Sequence, residues 1–147
     1  FDLSFINEKG EKERPVMVHH ATLGSIERFM SVFIEHTGGW FPFWCAPEQV
    51  RIVTVNDEVM DYVGEIEEVL NGVVLEKPLR HNDLRFNTDK TDDSLGKKIR
   101  RATSMKIPVI LIVGPKDKEA RTVSLRMKDT EQTIELNQLV EFLSRLN

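Results

Sequence analysis

The sequence predicts an α/β protein: a mixed sheet with helices packed on it, preceded by a short strand–helix segment of different character. Three observations carry this expectation. From residue 48 onward the patterns run strand, helix, strand, helix, strand, strand, helix. One of those strands, IPVILIV at residues 107–113, is an unbroken apolar run suited to a fully buried central strand. Before residue 48 the chain alternates, turns, extends again and then enters one amphipathic helix.

Taken in order, DLSFI alternates, NEKGEKE turns near Gly10, and RPVMVHH is extended, which predicts a hairpin. Ser25 is placed to cap a helix whose apolar face is Ile26, Phe29, Met30, Phe33 and Ile34, and Gly38–Gly39 stops it. WFPFWCAP holds two prolines and four aromatics, so it cannot be a regular helix. It reads as a packed linker between domains, with Cys45 as a packing residue. VRIVTV, residues 50–55, is a strand. Asn56 or Asp57 then caps a helix to about Leu70, with Met60, Val63, Ile66 and Leu70 inward. A strand is expected around residues 82–87, then a polar loop, NTDKTDDS. Ser94 caps a helix to about Ser104. Gly114–Pro115 ends the central strand, TVSLRM alternates as another, and NQLVEFLSRL closes the chain as a helix.

Composition limits the function classes. The 147 residues carry a formal charge of -4, which argues against an unspecific nucleic-acid binder but leaves room for a local basic face. No apolar run approaches the ~20 residues that span a bilayer, so no membrane partner is expected. No signal peptide opens the chain, which begins FDLSF without Met and reads as a piece of a longer protein. The single cysteine has no disulfide partner, and a reducing cytoplasm is the expected location. No Gly-rich phosphate loop follows the strand at 50–55, which argues against a dinucleotide or P-loop domain. Neither C-x-x-C nor H-E-x-x-H occurs, so a complete zinc site within the chain is not expected.

Three stretches hold candidate site residues. Arg28 stands at the edge of an apolar helical face, where its rigid fork could grip a phosphate or carboxylate, or simply meet solvent. His19 and His20 alternate on an extended segment and so face opposite ways. LGKKIRRATSMK holds Lys97, Lys98, Arg100, Arg101 and Lys106 without an acid. Such a helix can touch a nucleic-acid backbone, or pair with the acids of TDKTDD just before it. Asp117, Glu119, Arg121 and Arg126 lie in a loop and the strand after it, where side chains can read unpaired base edges.

RPVMVHHATLGSIERF followed by FPFWCAPEQVRIVTV resembles the end of the catalytic domain of threonyl-tRNA synthetases, which belong to class II. SLGKKIRRA, IPVILIVGPKDKEA and TVSLR resemble the anticodon-binding domain of the same family. The resemblance spans essentially the whole chain. It implies residues 1–44 as the remnant of the catalytic domain and 45–147 as an anticodon-binding domain with a five-stranded mixed sheet. Arg28 matches the signature arginine that contacts ATP during adenylate formation, and Gly24 and Ser25 match positions lining the adenylate pocket. His19 matches one of three ligands to the zinc that recognises threonine, and the other two lie outside this chain. His20 stands where the family often has Arg. Asp117 aligns with an acidic position, commonly Glu, that contacts an anticodon base. Arg126 aligns with an arginine that does the same, and a further contact falls near Arg85 to Asn87. Lys97, Lys98 and Arg101 are backbone contacts on charge alone.

The resemblance thus implies a parent enzyme, a homodimer using ATP, magnesium and zinc, that ligates threonine to its tRNA. The chain alone is expected to be inactive and to bind none of these cofactors. Prolyl, histidyl and glycyl synthetases share related features. A noncatalytic module reusing the fold is the alternative of another class.

Overall fold

Asn7 organises the first turn: its side-chain oxygen accepts the backbone N–H groups of Lys9 and Glu11, both at 3.0 Å. Gly10 closes the turn in the left-handed region, φ 76°. Strands β1 (Phe5–Ile6) and β2 (Lys12–Glu13) pair antiparallel across it. The computed structural model describes residues 2–73 and 84–146. It divides into two units, Phe1–Phe33 and Ile34–Asn147.

The extended segment expected at RPVMVHH is not a strand in the described structure; pairing stops at Glu13. Pro15 offers no N–H to a ladder, which accounts for the stop. Helix α1 spans Ile26–Thr37, where the spacing places it. Ser25 Oγ accepts the N–H of Arg28 at 3.4 Å, and Gly39 N–H returns to the carbonyl of Ile34 at 3.1 Å.

In the second unit the elements are β3 (Val50–Thr54), α2 (Met60–Asn71), β4 (Phe86–Asp89), α3 (Leu95–Ser104), β5 (Val109–Val113), α4 (Pro115–Ala120), β6 (Thr122–Arg126), β7 (Glu131–Glu135) and α5 (Leu139–Arg145). The sheet order is β4-β3-β5-β6-β7. β3 pairs parallel with β4 and β5, whereas β5, β6 and β7 pair antiparallel. The mixed five-stranded sheet is the architecture expected.

The two sheet faces have separate cores. Ile52, Leu111 and Leu125 pack with Ile66, Leu139 and Leu143 of α2 and α5, all of them fully buried. Val53, Ile107 and Ile110 form the other core with Ala102 of α3, against which Leu95 and Ile99 pack. Each fully buried Leu or Ile contributes about 1.5–3 kcal/mol relative to an exposed one.

The structure departs from the expectations in three places. β4 runs to Asp89, so the first three residues of NTDKTDDS are strand, and residues 82–83 of the expected strand lie outside the described residues. α4 replaces the expected loop, because Pro115 sits at the first helical turn, where its missing N–H costs nothing. β7 has one apolar side chain, Ile134, in EQTIE, and hydrogen bonding to β6 rather than hydrophobic pattern makes it a strand.

Candidate nucleic-acid interface

Strand alternation sorts the second core's face residue by residue. Ser124 lies opposite Ile112 on β5 and Thr133 on β7, and Arg126 lies opposite Ile110 and Glu131. All of these share the α3 face of the sheet. α3 packs over β3, and beyond β5 the face is open: Arg126, Glu131 and Thr133 are exposed, and Ser124 is half-buried.

Asp117 closes one end of this open face. Its Oδ2 accepts the N–H of Gly114 at 2.9 Å, and its Oδ1 accepts the hydroxyl of Ser124 at 3.1 Å. The Ser124 hydroxyl also lies 3.3 Å from Thr133 Oγ1. Gly114 sits in close approach: a Cβ there would meet Val55 Cγ2 at 3.2 Å and Asp117 Oδ2 at 3.4 Å, so the Val55 side chain would have to give by a few tenths of an ångström. Lys118 anchors α4 to the start of α2, its Nζ 2.7 Å from Asp61 Oδ2. Each carboxylate oxygen of Asp117 has a second lone pair, so the group can still accept an amino or imino N–H of a ligand. Arg121, read alongside Asp117 in the sequence, turns elsewhere and pairs with Glu65 of α2 at 2.6 Å.

The α3 cations divide sharply. Lys98 is only 4% exposed, and its Nζ donates to Thr54 Oγ1 at 3.2 Å. Its expected role as a surface backbone contact is therefore corrected: the helix turns that position into the sheet. Arg101 pairs with Asp93 and, at 3.1 Å, with Asp89 Oδ2. Lys97 pairs with Asp93 at 2.6 Å. The acids before the helix thus pair with two of its cations, Lys97 and Arg101. Arg100 and Lys106 remain exposed, with no ion pair among the described residues.

Asp89 carries much of this latch. Burial pushes its carboxyl up, but the Thr91 hydroxyl and N–H, with the charges of Arg101 and Lys98, outweigh that and hold it below its ordinary 3.8. A folded-state value below the unfolded one contributes stability above the unfolded value and loses it as pH falls through the folded one. Thermal unfolding of wild type and Asp89→Asn should therefore differ most near neutrality. The difference should shrink below about pH 4. A constant difference from pH 7 to pH 2.5 would refute the assignment.

An anticodon binding domain model matches residues 49–146, which include the whole sheet and every residue of the face just described. The chain belongs to the anticodon-binding domain family. Beyond that match, it is similar to threonine–tRNA ligases. It is 38% identical over 146 residues to that of Clostridium kluyveri, covering 99% of this chain and 21% of the ligase. It is 44% identical over 132 residues to that of Cutibacterium acnes, covering 90% of this chain and 18% of the ligase. A crystal structure of the RNA binding domain of threonyl-tRNA synthetase from Cryptosporidium parvum superposes with a TM-score of 0.75 at 28% identity, covering 95% of this chain and 33% of that one. The chain spans about a fifth of the length of the ligases it matches.

Upstream of the anticodon-binding domain, residues 15–30 are exposed throughout. Gly24 precedes α1 with φ 62°, Ser25 Oγ donates to Glu27 Oε2 at 2.6 Å, and Arg28 follows in the first turn. This brings Gly24, Ser25 and Arg28 together at one helix start. His20 Nε2 lies 2.6 Å from Thr22 Oγ1. Among the described residues, no group of three or more His, Cys, Asp or Glu side chains is positioned to hold a metal. His19 with the residues described does not fit a zinc site. Burial pushes the Cys45 thiol up, consistent with a packing role rather than a nucleophile. No described helix is long and apolar enough to cross a membrane.

Sequence reasoning offered Asp117 and Arg126 as candidates and did not single out Ser124 or Thr133, which share their face. The signal for Ser124 was present, since it stands two residues before Arg126 on the same strand. Thr133 carried none, because its strand was not legible. Arg85, near an expected anticodon contact, donates instead to the carbonyls of Ala46 and Trp44, at 3.0 and 2.9 Å.

Proposed function

We propose that this chain is the C-terminal part of a threonine–tRNA ligase and that its sheet reads the anticodon of threonine tRNA. The observation that carries the reading is the open sheet face, where Asp117, Ser124, Thr133 and Arg126 stand together beside no covering helix. Such a face suits splayed single-stranded bases, whose edges present both donors and acceptors. The Asp117 carboxylate accepts from a base amino or imino group, and the Arg126 guanidinium donates to a base carbonyl or ring nitrogen.

Residues 1–44 are, in this reading, the end of a class II catalytic domain, and residues 45–147 the anticodon-binding domain. The parent reaction is ATP-dependent attachment of threonine to its tRNA. Arg28, with Gly24 and Ser25, would contribute to the ATP and adenylate site of the longer chain, where ATP and magnesium supply the activating phosphoanhydride chemistry. His19 would join a zinc ion there only with ligands from outside this chain. The parent acts as a homodimer in the cytoplasm. The similarity to threonine–tRNA ligases and the family match support this reading.

The test is binding of this chain to transcribed threonine tRNA beside a copy with an altered anticodon. Tighter binding to the true anticodon is expected. Equal affinity for both would reject base reading, and the noncatalytic alternative would then stand.

A further inference from the structure

α3 and β6 bound a groove of about 430 Å³ lined by Ile99, Arg100, Thr103, Lys106 and Arg126, with no acidic side chain among its walls. Its cations are those left over once Lys97 and Arg101 have paired with Asp93 and Asp89 and Lys98 has been buried. Lys106 takes a left-handed conformation, φ 58°, at the end of α3. Its ammonium lies 5.1 Å from the centre of the Trp40 ring, and that of Lys128, beyond β6, lies 5.9 Å from the same ring. Arg100, Arg126, Lys106 and Lys128 therefore make a continuous cationic strip, none of them ion-paired among the described residues. Glu131 stands opposite Arg126 on β7 without forming an ion pair, and the groove walls themselves carry no acid. In a chain of net charge -4, four such unpaired cations in one strip point to a polyanion.

Arg126 belongs to both surfaces. It lies on the open face with Ser124 and Thr133, and it also lines the groove with Arg100 and Lys106. A strand of RNA whose bases lie on the open face would pass its phosphates along the groove. We propose that Arg100, Lys106 and Lys128 hold the phosphodiester backbone next to the nucleotides read at Asp117 and Arg126, and that Lys97, Lys98 and Arg101 do not. This rests on the anticodon reading for the identity of the RNA, but not for the existence of the groove.

Three forms of the chain separate the possibilities: wild type, Arg100→Gln with Lys106→Gln, and Lys97→Gln as a control on the same helix. Each is titrated with a threonine-tRNA anticodon stem-loop, and with an altered-anticodon copy, from 50 to 200 mM salt. A phosphate contact on single-stranded RNA contributes about 0.7 to the slope of log affinity against log salt. The double variant should lose about 1.4 from that slope, keep its preference for the true anticodon, and bind more weakly at low salt. Lys97→Gln should leave the slope unchanged. An unchanged slope in the double variant, or failure of wild type to bind either RNA, overturns the groove. If the slope falls as expected but wild type does not distinguish the anticodons, the groove stands and base reading fails.

Discussion

An Asp117→Ala chain is expected to lose about 1–3 kcal/mol of affinity for threonine tRNA and nearly all preference for the true anticodon. The carboxylate is fixed by Gly114 N–H and the Ser124 hydroxyl before any ligand arrives, so little ordering is needed on binding. Removing it deletes the one acceptor-only side chain within this hydrogen-bonded chain and leaves any base donor facing it unpaired. Its salt slope should match wild type, because no cation has been removed. Ser124→Ala is the control: it removes one support yet leaves the charge and the Gly114 bond. It should weaken discrimination less. Fluorescence anisotropy with native and altered transcripts reads both quantities. A preserved preference in Asp117→Ala would exclude this carboxylate as a reader.

The largest expected stability effect lies at the junction before β3. Gln49 is fully buried; its Nε2 donates to the carbonyl of Phe43 at 2.9 Å, and its Oε1 accepts Arg85 N–H at 2.9 Å. Its own N–H donates to the Arg85 carbonyl at 2.7 Å. One side chain thus joins the aromatic linker, the start of β3 and the approach to β4. Gln49→Ala leaves the Arg85 N–H without a partner, takes from the Phe43 carbonyl one of its two donors, the Ala46 N–H remaining at 3.3 Å, and opens a cavity; the orphan alone costs roughly 1–3 kcal/mol. A loss of about 2–4 kcal/mol is expected as a fall in urea midpoint at constant m. Arg85→Ala, whose guanidinium is partly exposed, should cost less. A Gln49→Ala loss under about 0.5 kcal/mol would show that water replaces the amide without penalty.

What could be read from the sequence followed hydrophobic period. IPVILIV became the central strand because a strand flanked on both sides and covered on both faces must be apolar throughout. The 26–37 helix followed from its spacing, its Ser25 cap and its glycine stop. β7 escaped because hydrogen bonds to β6 hold it, and EQTIE has a single inward apolar residue. Lys98 was misread because a burial decided by the third dimension leaves no mark on a charged letter: its stem crosses the core edge to reach Thr54. Asp117 and Arg126 were placed by family likeness rather than by pattern. Their joining through Ser124 needed the register of β6 against β7, which single residues do not carry.

β7 ends the sheet, and its outer backbone groups are a template on which another chain could add. Glu131, Thr133 and Glu135 alternate along one side of it, all exposed. A second copy laid antiparallel against this strand would bring glutamates close to glutamates across the new pairing, where like charges repel. The opposite border, β4, offers only four residues. The polar composition that hid β7 from hydrophobic patterning is therefore also a guard against open-ended growth into fibres, leaving the neighbouring face free for a soluble ligand rather than for copies of itself.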